Sequence, residues 1–106
     1  MINVDIDETY VIESELDPDC KGTFKPVTPR ERGKYSSMAV MGDPMSITVV
    51  AFQDHIVNFE GLHNTKGNKI PFKKDEHLAV IPFEIQDELG RKLLEKNKLT
   101  KEEIKN

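Results

Sequence analysis

A short acidic motif near the N-terminus has the residue types of a phosphoryl-transfer site. Asp5, Asp7 and Thr9 follow the pattern D-x-D-x-T, in which one carboxylate attacks phosphorus and the other handles the proton of the leaving group. That chemistry needs a buried parallel strand before the loop, and a lysine and paired acids that bind Mg²⁺. Here the preceding segment, Ile2-Asn3-Val4, is short and has a polar centre, and no acid pair in an apolar strand follows it. We therefore interpret the motif as the acidic edge of a strand.

The histidines and the cysteine do not have the spacing of a metal site or of an activated nucleophile. His55, His63 and His77 are far apart in the chain, and no pair of cysteines accompanies them. Cys20 has only Lys21 as a basic neighbour, so the sequence does not mark it as a reactive thiolate. We predict that the protein is not an enzyme, with no catalytic residues, no metal and no cofactor.

The composition is that of a small globular chain. It has 106 residues, of which 37% are hydrophobic and 32% charged, enough for one core. No apolar run approaches the roughly 20 residues of a membrane-spanning helix. The N-terminus has acids where a secretory signal has basic residues. One cysteine cannot form an internal disulfide, so we expect a reducing compartment. We predict one domain over residues 1–106 and no membrane partner.

The charge is unevenly distributed along the chain. Residues 1–20 contain seven acids and no lysine or arginine, whereas the remainder contains 12 acids and all 15 basic residues. A nucleic-acid-binding protein would show a basic face, so we do not expect nucleic acid as a partner. We interpret residues 1–20 as a solvated acidic arm. The alternative is that this arm docks on a basic surface of a partner or of its own body.

Strand patterns are concentrated in the N-terminal quarter of the chain. Apolar and polar residues alternate over residues 2–7, and a turn pattern at 16–19 precedes an apolar return segment at 22–27. We therefore predict an extended or β arm at residues 1–20, with a hairpin over residues 8–27. Pro26 would restrict the return strand to an edge of the sheet.

Helix signals begin after this segment. Thr28, Pro29 and Glu31 form a capping box with proline at the first helical position, which predicts a helix to about Val40. We expect its inner side to carry Tyr35, Met38 and Ala39.

The most apolar stretch runs from Met45 to Phe59, after an N-cap pattern at Asp43 and Pro44. Its β-branched residues 47–50 favour a strand, but about 15 residues without a turn exceed an ordinary strand. We therefore predict a helix, with one buried face formed by Val49, Phe52, Ile56 and Phe59.

The last third of the chain alternates between loop and helix patterns. Residues 60–72 are rich in glycine and asparagine, which predicts a small hairpin or an irregular loop. We predict that Asp75 caps a short helix through Ile81, and that Pro82 begins a longer one. A second capping box at Thr100 predicts a terminal helical turn.

The longer helix has one clear apolar stripe and two supporting ion pairs. The stripe consists of Ile85, Leu89 and Leu93, at i, i+4 and i+8. Asp87 with Arg91, and Glu88 with Lys92, are at i, i+4 in the favourable orientation. We therefore predict an α+β fold: a helix-dominated single small domain with an N-terminal β-hairpin or extended arm, and a mainly helical body at 24–106.

The same helix carries apolar and basic residues that its core stripe does not require. A helix that buries one stripe has no folding reason to carry apolar residues on another side, so we expect those residues to be exposed. The alternative is a wide apolar face that is all core. We predict that a partner binds through Phe83, Arg91, Lys92, Leu94, Lys96 and Leu99.

The order of these segments resembles the small tail assembly chaperones of long-tailed bacteriophages and prophages. The similar features are the helix start at 27–32, the Phe59-Glu60-Gly61-Leu62 segment, the polar turn at 66–72 and the ending at 97–106. The resemblance covers roughly residues 24–106, while residues 1–20 match no part of the family pattern.

The resemblance implies a non-enzymatic protein of the host cytoplasm. It would bind the tape-measure protein and the tail-tube protein during virion morphogenesis, with self-association left open. Two other classes remain as alternatives. One is a structural virion component, such as a head–tail connector or decoration protein, and the other is a small phage inhibitor of a host defence system.

Overall fold

Helices and one antiparallel sheet make up the computed structural model, which describes residues 9–42 and 44–96. The predicted helix-dominated α+β class is confirmed. In chain order the elements are β1 (Tyr10–Glu13), β2 (Lys21–Phe24), α1 (Pro29–Met41), α2 (Pro44–His55), β3 (Ile56–Glu60), α3 (Lys74–His77), a 3-10 turn (Leu78–Val80) and α4 (Phe83–Lys96).

The sheet has the order β1-β2-β3, and both pairings are antiparallel. β1 and β2 form the predicted hairpin, with Ile12 opposite Gly22. The predicted edge position of the return strand is wrong, because β2 is central and also pairs with β3. β2 ends at Phe24, so Pro26 lies beyond the ladder and removes no hydrogen bond from it.

The capping box of α1 is confirmed. The hydroxyl of Thr28 accepts a hydrogen bond from the N–H of Glu31, and the Glu31 carboxylate accepts one from the N–H of Thr28. On the inner side, Tyr35 is buried and Met38 is half-buried, but Ala39 is exposed, so that part of the prediction is wrong.

The predicted helix over residues 45–59 is correct only as far as His55. Residues Ile56–Glu60 form β3, so strand structure extends beyond residues 1–27 and the possible hairpin at 59–72 where we expected it. Ile56 and Phe59 are buried, as predicted, but from a strand. Thr23 pairs with Asn58, but the next residue, Phe24, pairs with Ile56, so Val57 is skipped in the register. This irregularity allows both Ile56 and Phe59 to be buried although they are three residues apart, a spacing that resembles a helix.

The segment after β3 is an irregular loop with one isolated bridge between His63 and Lys69. It leads into α3, where the predicted cap is wrong: Lys73 occupies the N-cap position and Asp75 lies within the first turn. The predicted cap at Asp43 and the capping box at Thr100 lie outside the described residues.

The core lies between α2, α4 and the inner face of the sheet. Phe52 packs edge-on against Phe24 and Phe59, at ring-centre distances of 5.4 and 6.4 Å. Leu89 and Leu93 of α4 are fully buried beside them, which confirms the predicted stripe. In the described part of the chain, no helix has the length and apolar character needed to cross a membrane.

Candidate partner-binding surface

Phe83, a predicted partner-binding residue, begins α4 and is 48% exposed. Val80, three residues earlier in the 3-10 turn, is 63% exposed. The other large apolar side chains of α4 are buried in the core: Ile85, Leu89, Leu93 and Leu94. Val80 and Phe83 therefore form an exposed apolar pair at the point where the chain enters α4.

A buried glutamine fixes the position of this pair. The side-chain amide of Gln86 donates to the carbonyl oxygens of Leu78 and Ile81, at 3.1 and 2.9 Å. Its oxygen accepts a hydrogen bond from the Gln53 side chain of α2, at 3.1 Å. The 3-10 turn is thereby tied to both helices, and its apolar residue is presented on a rigid segment.

The predicted basic residues of α4 make different contacts. Arg91 is exposed and pairs with Asp87 at 3.6 Å. Lys92 is half-buried, contacts the Glu88 carboxylate at 3.3 Å and donates to the carbonyl oxygen of Glu13 at 3.1 Å. Both predicted i, i+4 pairs are thus present, and Lys92 joins α4 to the hairpin.

Leu94 corrects the expectation of an exposed second apolar face. Its side chain is only 9% exposed and belongs to the core. It lies one turn after Gly90, which packs closely against Thr48 of α2. Lys96 lies over the Tyr10 ring of β1, with its ammonium 5.4 Å from the ring centre. Leu99 lies outside the described residues. The structure therefore brings Lys92 and Lys96 to the contact between α4 and the hairpin, and it places Leu94 in the core and Phe83 apart from both.

The contact between α4 and the hairpin turn contains a buried carboxylate. Glu88 is 3% exposed and accepts hydrogen bonds from the Ser14 hydroxyl and the N–H of Glu15, and contacts the Lys92 ammonium. Burial alone would raise the pKa of Glu88, but these hydrogen bonds and the lysine charge outweigh it and hold the pKa below its ordinary value. The group is an ionised structural link.

A second polar cluster, in which Tyr35 and His55 are buried, joins α1 to α2. The Tyr35 hydroxyl lies 3.0 Å from Oδ2 of Asp54 and 3.0 Å from Nε2 of His55, which is itself 3.3 Å from Glu31. Burial lowers the pKa of His55, although Glu31 and Asp54 oppose the shift. Burial also raises the pKa of Tyr35, so it stays a neutral hydroxyl. Sequence analysis missed this cluster because its members come from two helices.

The remaining chemistry-bearing groups do not converge on a reactive centre in residues 9–42 and 44–96. Those residues contain no group of three or more His, Cys, Asp or Glu side chains that could hold a metal. Cys20 is buried, and burial together with Asp17 raises the pKa of its thiol to about 11. A thiol with that pKa is protonated at neutral pH and is a poor nucleophile.

A cleft of about 620 Å³ opens between the hairpin turn and the loop after β3. Its lining includes the ion pair between Lys21 and Glu60, whose charged atoms are 3.0 Å apart. Asp19 lies on the hairpin side, and Lys69 lies on the loop side. Sequence analysis did not place these segments together, because it did not predict β3, the strand that joins them.

Comparison with known proteins finds no matching family model, no similar curated protein and no similar solved structure.

Proposed function

We propose that this chain is a non-enzymatic, protein-binding tail assembly chaperone of a bacteriophage or prophage, acting in the host cytoplasm. Its partners are the tape-measure protein and the tail-tube protein during virion morphogenesis. The observation that carries the proposal is the exposed apolar pair, Val80 and Phe83, held in place by Gln86.

A tape-measure protein is a long helical chain whose apolar stripe needs to be shielded before the tail tube surrounds it. Two exposed apolar side chains, one on the 3-10 turn and one at the start of α4, can contact such a stripe, as apolar surfaces do when they bind amphipathic helices. A few such side chains commonly carry most of the binding energy of an interface. A fixed 3-10 turn also lowers the entropic cost of presenting them.

The segment that resembles the chaperone family supports the same surface. Phe72, at the end of the family-like polar turn, packs between Phe59 of β3 and His77 of α3, with ring centres 6.3 Å from each. α3 continues directly into the 3-10 turn that carries Val80. The family-like turn therefore contributes to positioning the proposed binding residues.

The test is co-purification with the tape-measure and tail-tube proteins encoded by the same genome. Val80→Asp with Phe83→Asp should weaken tape-measure binding by at least about tenfold, since both apolar contacts are lost. Val40→Asp is the matched control, because Val40 is 87% exposed at the far end of α1. Equal binding by both variants would contradict the assignment of the surface.

The alternatives are separated by where the protein is found. A chaperone should be absent from purified virions, and a tape-measure gene should lie directly downstream of its own gene. A head–tail connector or decoration protein would instead be a stoichiometric component of the particle, and its detection there would overturn the proposal.

A further inference from the structure

Two surface segments of opposite charge face each other across the cleft. The acidic turn, residues 13–19, contains four acids and no basic residue. The basic loop, residues 61–74, contains four lysines, one histidine and no acid. Asp19 of the acidic turn and Lys69 of the basic loop both line the cleft.

The backbone holds these two segments side by side. Gly61, the first residue of the basic loop, has a φ of 120°, and a Cβ there would lie 2.8 Å from the sulfur of Cys20. Only glycine permits this close approach without strain. The other end of the acidic turn is tied to α4 by Glu88, through Ser14 and Glu15. The charge pattern of this surface is therefore a rigid property of the fold.

The surface also has an apolar projection and an apolar recess. Leu16, in the middle of the acidic turn, is 64% exposed. The basic side of the cleft includes Leu62, Ile70 and Phe72, which are half-buried. An exposed leucine in the acidic turn and the apolar side chains beside Lys69 can contact each other between two copies.

We propose that this cleft is the contact surface for a second copy of the same chain, in a two-fold symmetric dimer. A two-fold axis at the cleft places the acidic turn of each copy on the basic loop of the other, and Leu16 of each copy in the other's recess. Every contact then occurs twice and the assembly closes at two subunits. This pairing is independent of the tail-assembly role.

The opposite charges on the two sides of the cleft favour a second copy of this chain as the binding partner. A partner carrying one sign of charge would be repelled by one side of the cleft, whereas a copy of this chain carries both signs in the matching arrangement. Opposed charges across an interface select the partner and its orientation. Most of these side chains are exposed, so the association should weaken as salt screens them.

The experiment is sedimentation velocity of the purified chain at low and high salt, before and after charge reversal. Asp19→Lys and Lys69→Glu should each weaken self-association by at least about tenfold, because each reversal creates the same repulsion twice. Mixing the two variants should restore a dimer. In the mixed dimer the two reversed side chains face each other at one contact, and the native Asp19 and Lys69 face each other at the other. Glu95→Lys and Arg30→Glu, at exposed positions outside the cleft, are the matched controls.

Each outcome decides the proposal. A dimer that dissociates in high salt, is weakened by both reversals and is restored by mixing supports it. A monomer at all concentrations up to about 1 mM, the upper end of weak association, overturns it. A dimer that neither reversal weakens, or that mixing fails to restore, overturns this surface as the contact. Circular dichroism of each variant excludes unfolding as the cause of a lost dimer.

Discussion

Glu88 of α4 accepts a 2.6 Å hydrogen bond from the backbone N–H of Glu15, which lies 73 residues earlier in the hairpin turn. The Ser14 hydroxyl donates to the other oxygen of the same carboxylate. Since Glu88 is almost fully buried, these donors and Lys92 replace the water that an exposed carboxylate would have. One side chain thus joins the turn after β1 to α4.

Glu88→Gln should lower the free energy of unfolding by about 1–3 kcal/mol at neutral pH. Glutamine has nearly the same shape as glutamate, but it has no charge, so the charge-assisted hydrogen bonds are lost. Its NH2 group also faces groups that are themselves hydrogen-bond donors. Urea denaturation measures the change. Glu95→Gln, at an exposed position on the same helix, is the control and should change stability by less than about 0.5 kcal/mol.

The buried Glu88 carboxylate should also make the free energy of unfolding depend on pH. The pKa of Glu88 is lower in the folded state than in the unfolded chain, so the unfolded state binds more protons as the pH falls. Its stabilisation is therefore complete above about pH 4.3, the ordinary glutamate value, and is lost below it. The stability difference between the native protein and Glu88→Gln should shrink in acid, and a constant difference would contradict an ionised carboxylate.

His55 should make stability depend on pH in the neutral range. The pKa of His55 is lowered, chiefly by burial and also by the charge of Lys74. The charges of Glu31 and Asp54 and the hydrogen bond with Lys25 oppose this shift without outweighing it. Below about pH 6.5 the unfolded chain therefore binds a proton that the folded chain does not, and stability falls. His55→Gln should flatten this slope. The His55 ring signals in NMR should titrate below about pH 6.5, and a midpoint above that value would refute the prediction.

Gly90→Ala and Gly33→Ala should change stability in opposite directions. A Cβ at Gly90 would overlap the backbone carbonyl of Thr48 in α2, so alanine forces the two helices apart and should cost at least about 2 kcal/mol. Gly33, in α1, has open space around its Cβ position, and alanine should stabilise that helix by about 0.5–1 kcal/mol. Thermal and urea unfolding of both variants test the pair, and stabilisation by Gly90→Ala would disprove the close contact.

Thr28→Ala should destabilise the protein by about 1 kcal/mol through loss of the α1 N-cap. The threonine hydroxyl satisfies the N–H of Glu31, and alanine leaves that group without its partner in the capping box. Thr65→Ala, in the exposed loop, serves as the control for losing a threonine side chain. Unchanged stability of Thr28→Ala in chemical denaturation would mean that the cap contributes nothing to folding.

The sequence by itself determined the features that depend on neighbouring residues. The start of α1 was predictable because Thr28 and Glu31 satisfy each other's backbone groups within one turn. The buried stripe of α4 was predictable because Leu89 and Leu93 follow the helical repeat. The β1–β2 hairpin was predictable from its turn residues.

Tertiary structure decided the features that depend on distant residues. Ile56 and Phe59 fit a helical spacing, but pairing with β2 makes them a strand. Leu94 lies outside the predicted core stripe, yet it is buried one turn after Gly90, which packs against Thr48 of α2. Val80 and Phe83 are exposed, and Gln86 holds the turn that carries Val80 by hydrogen bonds to the carbonyl oxygens of Leu78 and Ile81. Strand pairing, and the burial of residues outside the main stripe of a helix, depend on contacts between segments far apart in the chain, so local residue spacing does not predict them.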